Sequence, residues 1–114
     1  MLCHKDVNLP DVIKAYPLTH FYNLNVSHHA HCQAKCKNII LPCDIKFSGS
    51  NIFEAEIIGG QVVKLGLRLS YNDRQDLCII LRMNKHKQVT IITCYLNSKN
   101  DNHPTLNKSN YNGQ

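Results

Sequence analysis

From Val63 to Ser70 the segment VKLGLRLS alternates apolar and polar or small residues with a period of two. Only an extended strand places every second side chain on one face, so this stretch specifies a half-buried β-strand. Val63, Leu65, Leu67 and Leu69 share one face, and Val62, Lys64, Gly66, Arg68 and Ser70 share the other. A lone strand cannot cover its apolar face, and partners lie close by in sequence. FEAEII precedes it across Gly59-Gly60, a dipeptide suited to a two-residue hairpin turn. DLCIILRMN and QVTIITCYLN follow as two further strands, joined by a short turn at Lys85, His86 and Lys87. The spacing predicts a four-stranded antiparallel meander.

Upstream the pattern changes. Ser27 is a suitable N-cap for a helix running to about Asn38, with Ala30, Ala34 and Cys36 facing inward. Ile39, Ile40 and Leu41 follow, and Pro42 closes the segment. A shorter helix is expected over Asp11 to Tyr16, between Pro10 and Pro17. The expected fold is therefore α+β, with N-terminal helices packed on one face of a four-stranded antiparallel sheet. The length of 114 residues suits one domain, with a weakly patterned segment over 1–26 and a core over 27–111. The polar tail from Ser98 is expected to be a coil pinned to the sheet by Leu106 and Tyr111.

With 43% hydrophobic and 18% charged residues the composition is that of a globular chain, not a disordered one. The formal net charge is +5, yet 10 Lys against 3 Arg, beside 13 Asn, reads as an AT-rich coding bias rather than a demand for an acidic partner. The first twenty residues carry Lys5, Asp6, Asp11 and Lys14 without an apolar block, and no apolar run suits a membrane helix. A cytoplasmic protein with free thiols is expected. Of the six cysteines, Cys78 and Cys94 sit inside apolar runs and read as small core residues.

The non-leucine face of the sheet gathers charge. Lys64 and Arg68 lie on one strand, Glu54 and Glu56 share a face of the preceding strand, and Arg82 shares one with Cys78 and Ile80. That arrangement describes either a solvated face with cross-strand Glu–Lys pairs or an open cationic site. On the first of these readings Arg68 pairs with Glu56 or Asp73. A second constellation is SHHAHCQAKC, where His28, His29, His31, Cys32 and Cys36 cluster, with Cys43 nearby. Zinc favours such ligands. On a helix, however, His28, Cys32 and Cys36 fall at i, i+4 and i+8, and the outer two stand about 12 Å apart. One ion can take two of them, so Cys43, His20 or the tail would have to supply the rest. There is no CxxC, Gly-rich phosphate loop, GxSxG or HExxH.

The C-terminal half carries a more specific pattern: a strand with Lys and Arg, then Tyr71, Asp73, Asp76 and Leu77, then Thr93, Leu96 and Asn97, then Asp101, His103, Thr105, Leu106, Ser109 and Tyr111. Upstream, His29 and Ala30 open HAHCQAKCKNIILPCDI, a helix motif in which Gln33, Lys35 and Lys37 stand in the region where arginines are expected. Over residues 27–111 the chain resembles small phage and bacterial proteins of the barnase–EndoU–colicin–RelE ribonuclease-like fold group. The resemblance implies RNA lying across the sheet and metal-independent cleavage by the ribose 2′-hydroxyl, with no cofactor. It also implies a toxin or phage effector in a bacterial or phage-infected cell, with an inhibitor or host protein as a further partner. Such chemistry needs proton transfer and cations at the phosphate. On that model His29 is the general base or acid, Lys64 and Arg68 stabilise the transition state, Thr93 hydrogen-bonds a phosphate oxygen, and His103 is the alternative proton-transfer group. His103 paired with Asp101 also reads as a structural lock on the tail. The alternatives to an endoribonuclease are a non-catalytic RNA- or protein-binding module on the same scaffold and a small zinc-stabilised module.

Overall fold

The computed structural model describes residues 16–59, 61–84, 86 and 88–100. Their elements are β1 (Thr19–Phe21), β2 (Asn25–Val26), α1 (His28–Lys37), β3 (Ile45–Phe47), a 3-10 turn (Gly49–Asn51), β4 (Ile52–Ile58), β5 (Gln61–Ser70), β6 (Gln75–Met83) and β7 (Val89–Ser98). The last four form the expected antiparallel meander, with Leu65 opposite Leu81 and Leu67 opposite Ile79. Gly59 takes φ of 59° in the β4–β5 turn, a conformation that costs glycine little.

The expected architecture is otherwise corrected. The described residues are mainly β, with one α-helix rather than several N-terminal helices. The large sheet has five strands, in the order β2-β7-β6-β5-β4, because Asn25 and Val26 add in parallel beside Thr90 and Ile91. The sheet is therefore mixed. A separate two-stranded ribbon pairs β1 with β3, Phe21 lying opposite Ile45 and Thr19 opposite Phe47. Its inner side chains reach the core, where the ring of Phe47 packs against Phe21 and Tyr16 at centroid separations of 5.4 and 5.5 Å. Apart from Tyr16, the short helix expected over 11–16 lies outside the described residues, as do Gly60, Lys85, Lys87 and the tail beyond Asn100.

The helix forms where the sequence places it. Ser27 is extended at φ −67° and ψ 160°, and its Oγ accepts from Ala30 N–H at 3.1 Å. Asn38 ends it in the left-handed region, φ 57°, while Ile39 N–H returns to Ala34 O at 2.8 Å. Ala30 and Ala34 are buried against the leucine face, but Cys36 is exposed instead of facing inward. Small residues at those two positions let the helix approach β7 closely, and Cys94 Sγ lies 3.6 Å from Ala30 O.

A register shift in β7 leaves Ile92 as an extra residue between Ile91, opposite Leu81, and Thr93, opposite Ile80. Beyond the two residues of β2, the outer edge of β7 carries backbone groups that no strand among the described residues pairs. The helix supplies partners: Ser27 Oγ donates to Ile92 O at 3.4 Å, and Gln33 Oε1 accepts from Cys94 N–H at 3.0 Å. Ser27→Ala removes the cap and the contact to Ile92 together. We expect it to lower stability by about 1–2 kcal/mol, read as a shift in the urea unfolding midpoint.

Candidate functional site

The two faces of the large sheet serve different purposes. Leu65, Leu67, Ile79, Leu81, Ile91 and Cys94 fill the face under α1 and are all fully buried. Lys64, Arg68, Thr93 and Tyr95 belong to the opposite face, as the pairings of Lys64 with Arg82, Arg68 with Cys78, Cys78 with Tyr95 and Ile80 with Thr93 require.

Of the two readings the sequence leaves for that second face, the open cationic site does not hold at Arg68, while Arg82 remains exposed opposite Lys64. The Arg68 side chain keeps 11% of its surface exposed, and its Nε donates to Asp76 Oδ2 at 2.8 Å. A second guanidinium nitrogen donates to Ser98 O at 2.9 Å. Lys99 Nζ reaches Asp76 Oδ1 at 2.8 Å and Ser70 Oγ at 2.9 Å. Arg68 is thus tied to Asp76, not to Glu56 or Asp73. Glu56 does lie opposite Lys64 in the register, two rows along the same face. Phe53 is turned onto this face by an irregularity in β4, and its ring lies over Gly66, where an added Cβ would come within 2.9 Å. Cys78 is fully buried beside Tyr95. Burial raises the phenol of Tyr95, and Cys78 and Glu54 raise it further. Burial likewise raises the thiols of Cys78 and Cys94.

The predicted catalytic residues are divided by this geometry. His29 is exposed on α1, which covers the leucine face, whereas Lys64, Arg68 and Thr93 lie across the sheet from it. Thr93 sits opposite Ile80, and Ile80 opposite Gly66. With β6 between them, about 9–10 Å separates Thr93 from the strand bearing the two cations. His103 and Asp101 lie outside the described residues. Among the described residues, open concavities of about 460 Å³ and about 580 Å³ lie against Asn72, Asp73 and Arg74 and against Ile40, Pro42 and Tyr71 respectively. Neither is lined by a histidine or by Lys64, Arg68 or Thr93.

The motif residues at the β5–β6 turn have structural work. Tyr71 Oη accepts from Ile40 N–H at 3.0 Å and holds the segment after α1 to the sheet end. Asn72 Oδ1 accepts from Arg74 N–H at 2.9 Å and from Gln75 N–H at 2.7 Å, an Asx-type turn. Sequence reasoning missed Lys99, which stands in a polar stretch without periodicity. Asp76 was visible only as one acid of the Tyr71–Asp76 pattern.

The metal-ligating candidates also separate. His28 Nε2 and Cys32 Sγ approach to 3.6 Å, and both are exposed. Cys36, Cys43 and His31 are exposed, and His20 stacks on Tyr22 with ring centroids 4.0 Å apart. Among the described residues no group of three or more His, Cys, Asp or Glu side chains is placed to hold a metal ion. None of the described helices is long and apolar enough to cross a membrane. Comparison of the chain with protein-family models, curated proteins and solved structures returns no match.

Burial works to raise the Asp76 carboxyl, but the hydrogen bonds and charges of Lys99 and Arg68 outweigh it and hold the group below its ordinary value of 3.8. A depressed carboxyl stabilises the fold in full above that value, and the contribution is lost as pH falls through the folded value. Asp76→Asn should cost about 1–2 kcal/mol at neutral pH, discounted for partial exposure, and the deficit should shrink toward pH 3 in urea unfolding. For the thiols, maleimide labelling of the native protein should modify Cys32, Cys36 and Cys43. Cys78 and Cys94 should react only after denaturant is added.

Proposed function

We propose that the protein is a non-catalytic RNA-binding module whose contact surface is made by the solvent-exposed side chains of α1. The observation that carries this reading is a charge asymmetry. From Val12 to Cys43 the sequence contains no Asp or Glu, and α1 presents His29, His31, Lys35 and Lys37 to solvent. Surface helices ordinarily set carboxylates in the first turn, where the dipole favours them, and this one has none. A solvated helix without acids repels cations and attracts a polyanion. Lysines grip phosphate as point charges, and exposed imidazoles add hydrogen bonding to phosphate and stacking on unpaired bases. The choice of RNA over DNA rests on the ribonuclease-like sequence pattern. The choice of binding over cleavage rests on the separation of His29 from Lys64, Arg68 and Thr93 by the sheet.

The test is fluorescence anisotropy with a labelled single-stranded RNA at two salt concentrations, in EDTA. Wild type should bind more weakly at the higher salt. Lys35→Ala/Lys37→Ala should lose about tenfold in affinity and flatten the salt dependence by roughly 0.7 per phosphate contact removed. Unchanged affinity in the double variant, or equal binding to DNA of the same sequence, would overturn the proposal. A gel of the same mixtures reads cleavage. Loss of full-length RNA that His29→Ala abolishes would return the endoribonuclease reading in its place.

A further inference from the structure

The outward pole of α1 holds a second chemistry. At 3.6 residues per turn, His28 and Cys32 share one side of the helix, roughly opposite the buried Ala30 and Ala34. Their Nε2 and Sγ atoms are 3.6 Å apart. A tetrahedral zinc ion bonds thiolate sulfur at about 2.3 Å and imidazole nitrogen at about 2.0–2.1 Å, which places two such donors about 3.5–3.6 Å apart. The pair therefore stands at the bite of a zinc ion before any metal arrives. Its helix is held on both sides, by the Ser27 cap and by the Gln33 bond to β7, so the spacing belongs to a fixed element.

Structural zinc takes four ligands, and no third His, Cys, Asp or Glu joins this pair among the described residues. The pair also points away from the sheet, where another molecule has direct access to it. A two-fold axis turns two ligands into four. We propose that His28 and Cys32 form half of an interchain Cys₂His₂ zinc site, completed by the same two residues of a second copy. As each sulfur–zinc bond forms, a Cys32 thiol releases its proton to solvent, while each His28 binds neutral through Nε2. Two thiolates then balance the charge of the ion. With the axis running across the helices the two copies of α1 lie antiparallel. Lys35 and Lys37 of each then fall beyond the N-terminus of the other helix and do not oppose one another.

The full chain, kept reduced with a phosphine, is titrated with cobalt(II) and then with zinc, followed by absorbance and light scattering. One cobalt per two chains is expected, with the intense visible bands of a tetrahedral site, a sulfur-to-cobalt charge-transfer band, and a doubling of mass that EDTA reverses. Cys32→Ser and His28→Ala should abolish both the bands and the doubling. Cys36→Ser and Cys43→Ser should leave them intact. All four positions are exposed, and circular dichroism checks that each variant keeps its helix. One metal per monomer, octahedral cobalt spectra, doubling that survives Cys32→Ser, or a site lost with Cys36→Ser would each overturn the inference. RNA binding measured in EDTA is independent of this result.

Discussion

The open edge of β7 is the constraint on which the rest of the molecule depends. A strand at the margin of a sheet presents backbone groups that must find water or a partner. Here β2 pairs only the first part of that edge, through Asn25 and Val26, and the chain then turns into α1. Ser27 is the pivot. Its backbone N–H donates to Ile91 O, its hydroxyl caps the helix, and the same hydroxyl reaches Ile92 O. One residue thus ends a parallel pairing, starts a helix and covers an irregular edge. The seating of Ala30 and Ala34 over the leucine face follows from that placement.

The long strands were legible because their period-two pattern is repeated over enough residues to exclude other structures. The helix was legible through its cap and its two alanines. The parallel strand was not, because two residues carry no period, and its pairing is decided by bonds to a segment 65 residues away. The ribbon of β1 and β3 was missed for a similar reason: three-residue strands whose partners are distant give no local signal. The site was half legible. Helical spacing correctly placed His28 beside Cys32. By contrast, alternation put Lys64 and Arg68 on one face but could not say whether that face was wet. Its state is set by Phe53, displaced onto Gly66 by a bulge, and by Lys99, which no pattern distinguishes from the polar residues around it.

Two pairs of cations among the described residues illustrate different roles for positive charge. Arg68 and Lys99 are consumed in binding β5, β6 and the end of β7 together through Asp76. Lys35 and Lys37 meet no carboxylate of their own helix and remain available to solvent. Net charge alone does not distinguish these roles. The geometry does: Arg68 and Lys99 are bound within the sheet, and Lys35 and Lys37 face solvent on the helix.

The parallel joining of β2 to β7 also bears on how the molecule comes into being. Its partners are made at opposite ends of the described chain, and α1 is synthesised about 60 residues before Cys94, against which it lies. Until β7 is made, the helix lacks the strand edge that it caps and the Cys94 backbone that it binds. Short isolated helices are marginal in water, so α1 is a late structure despite its early position in the chain. The meander of β4, β5 and β6 can form first as successive hairpins.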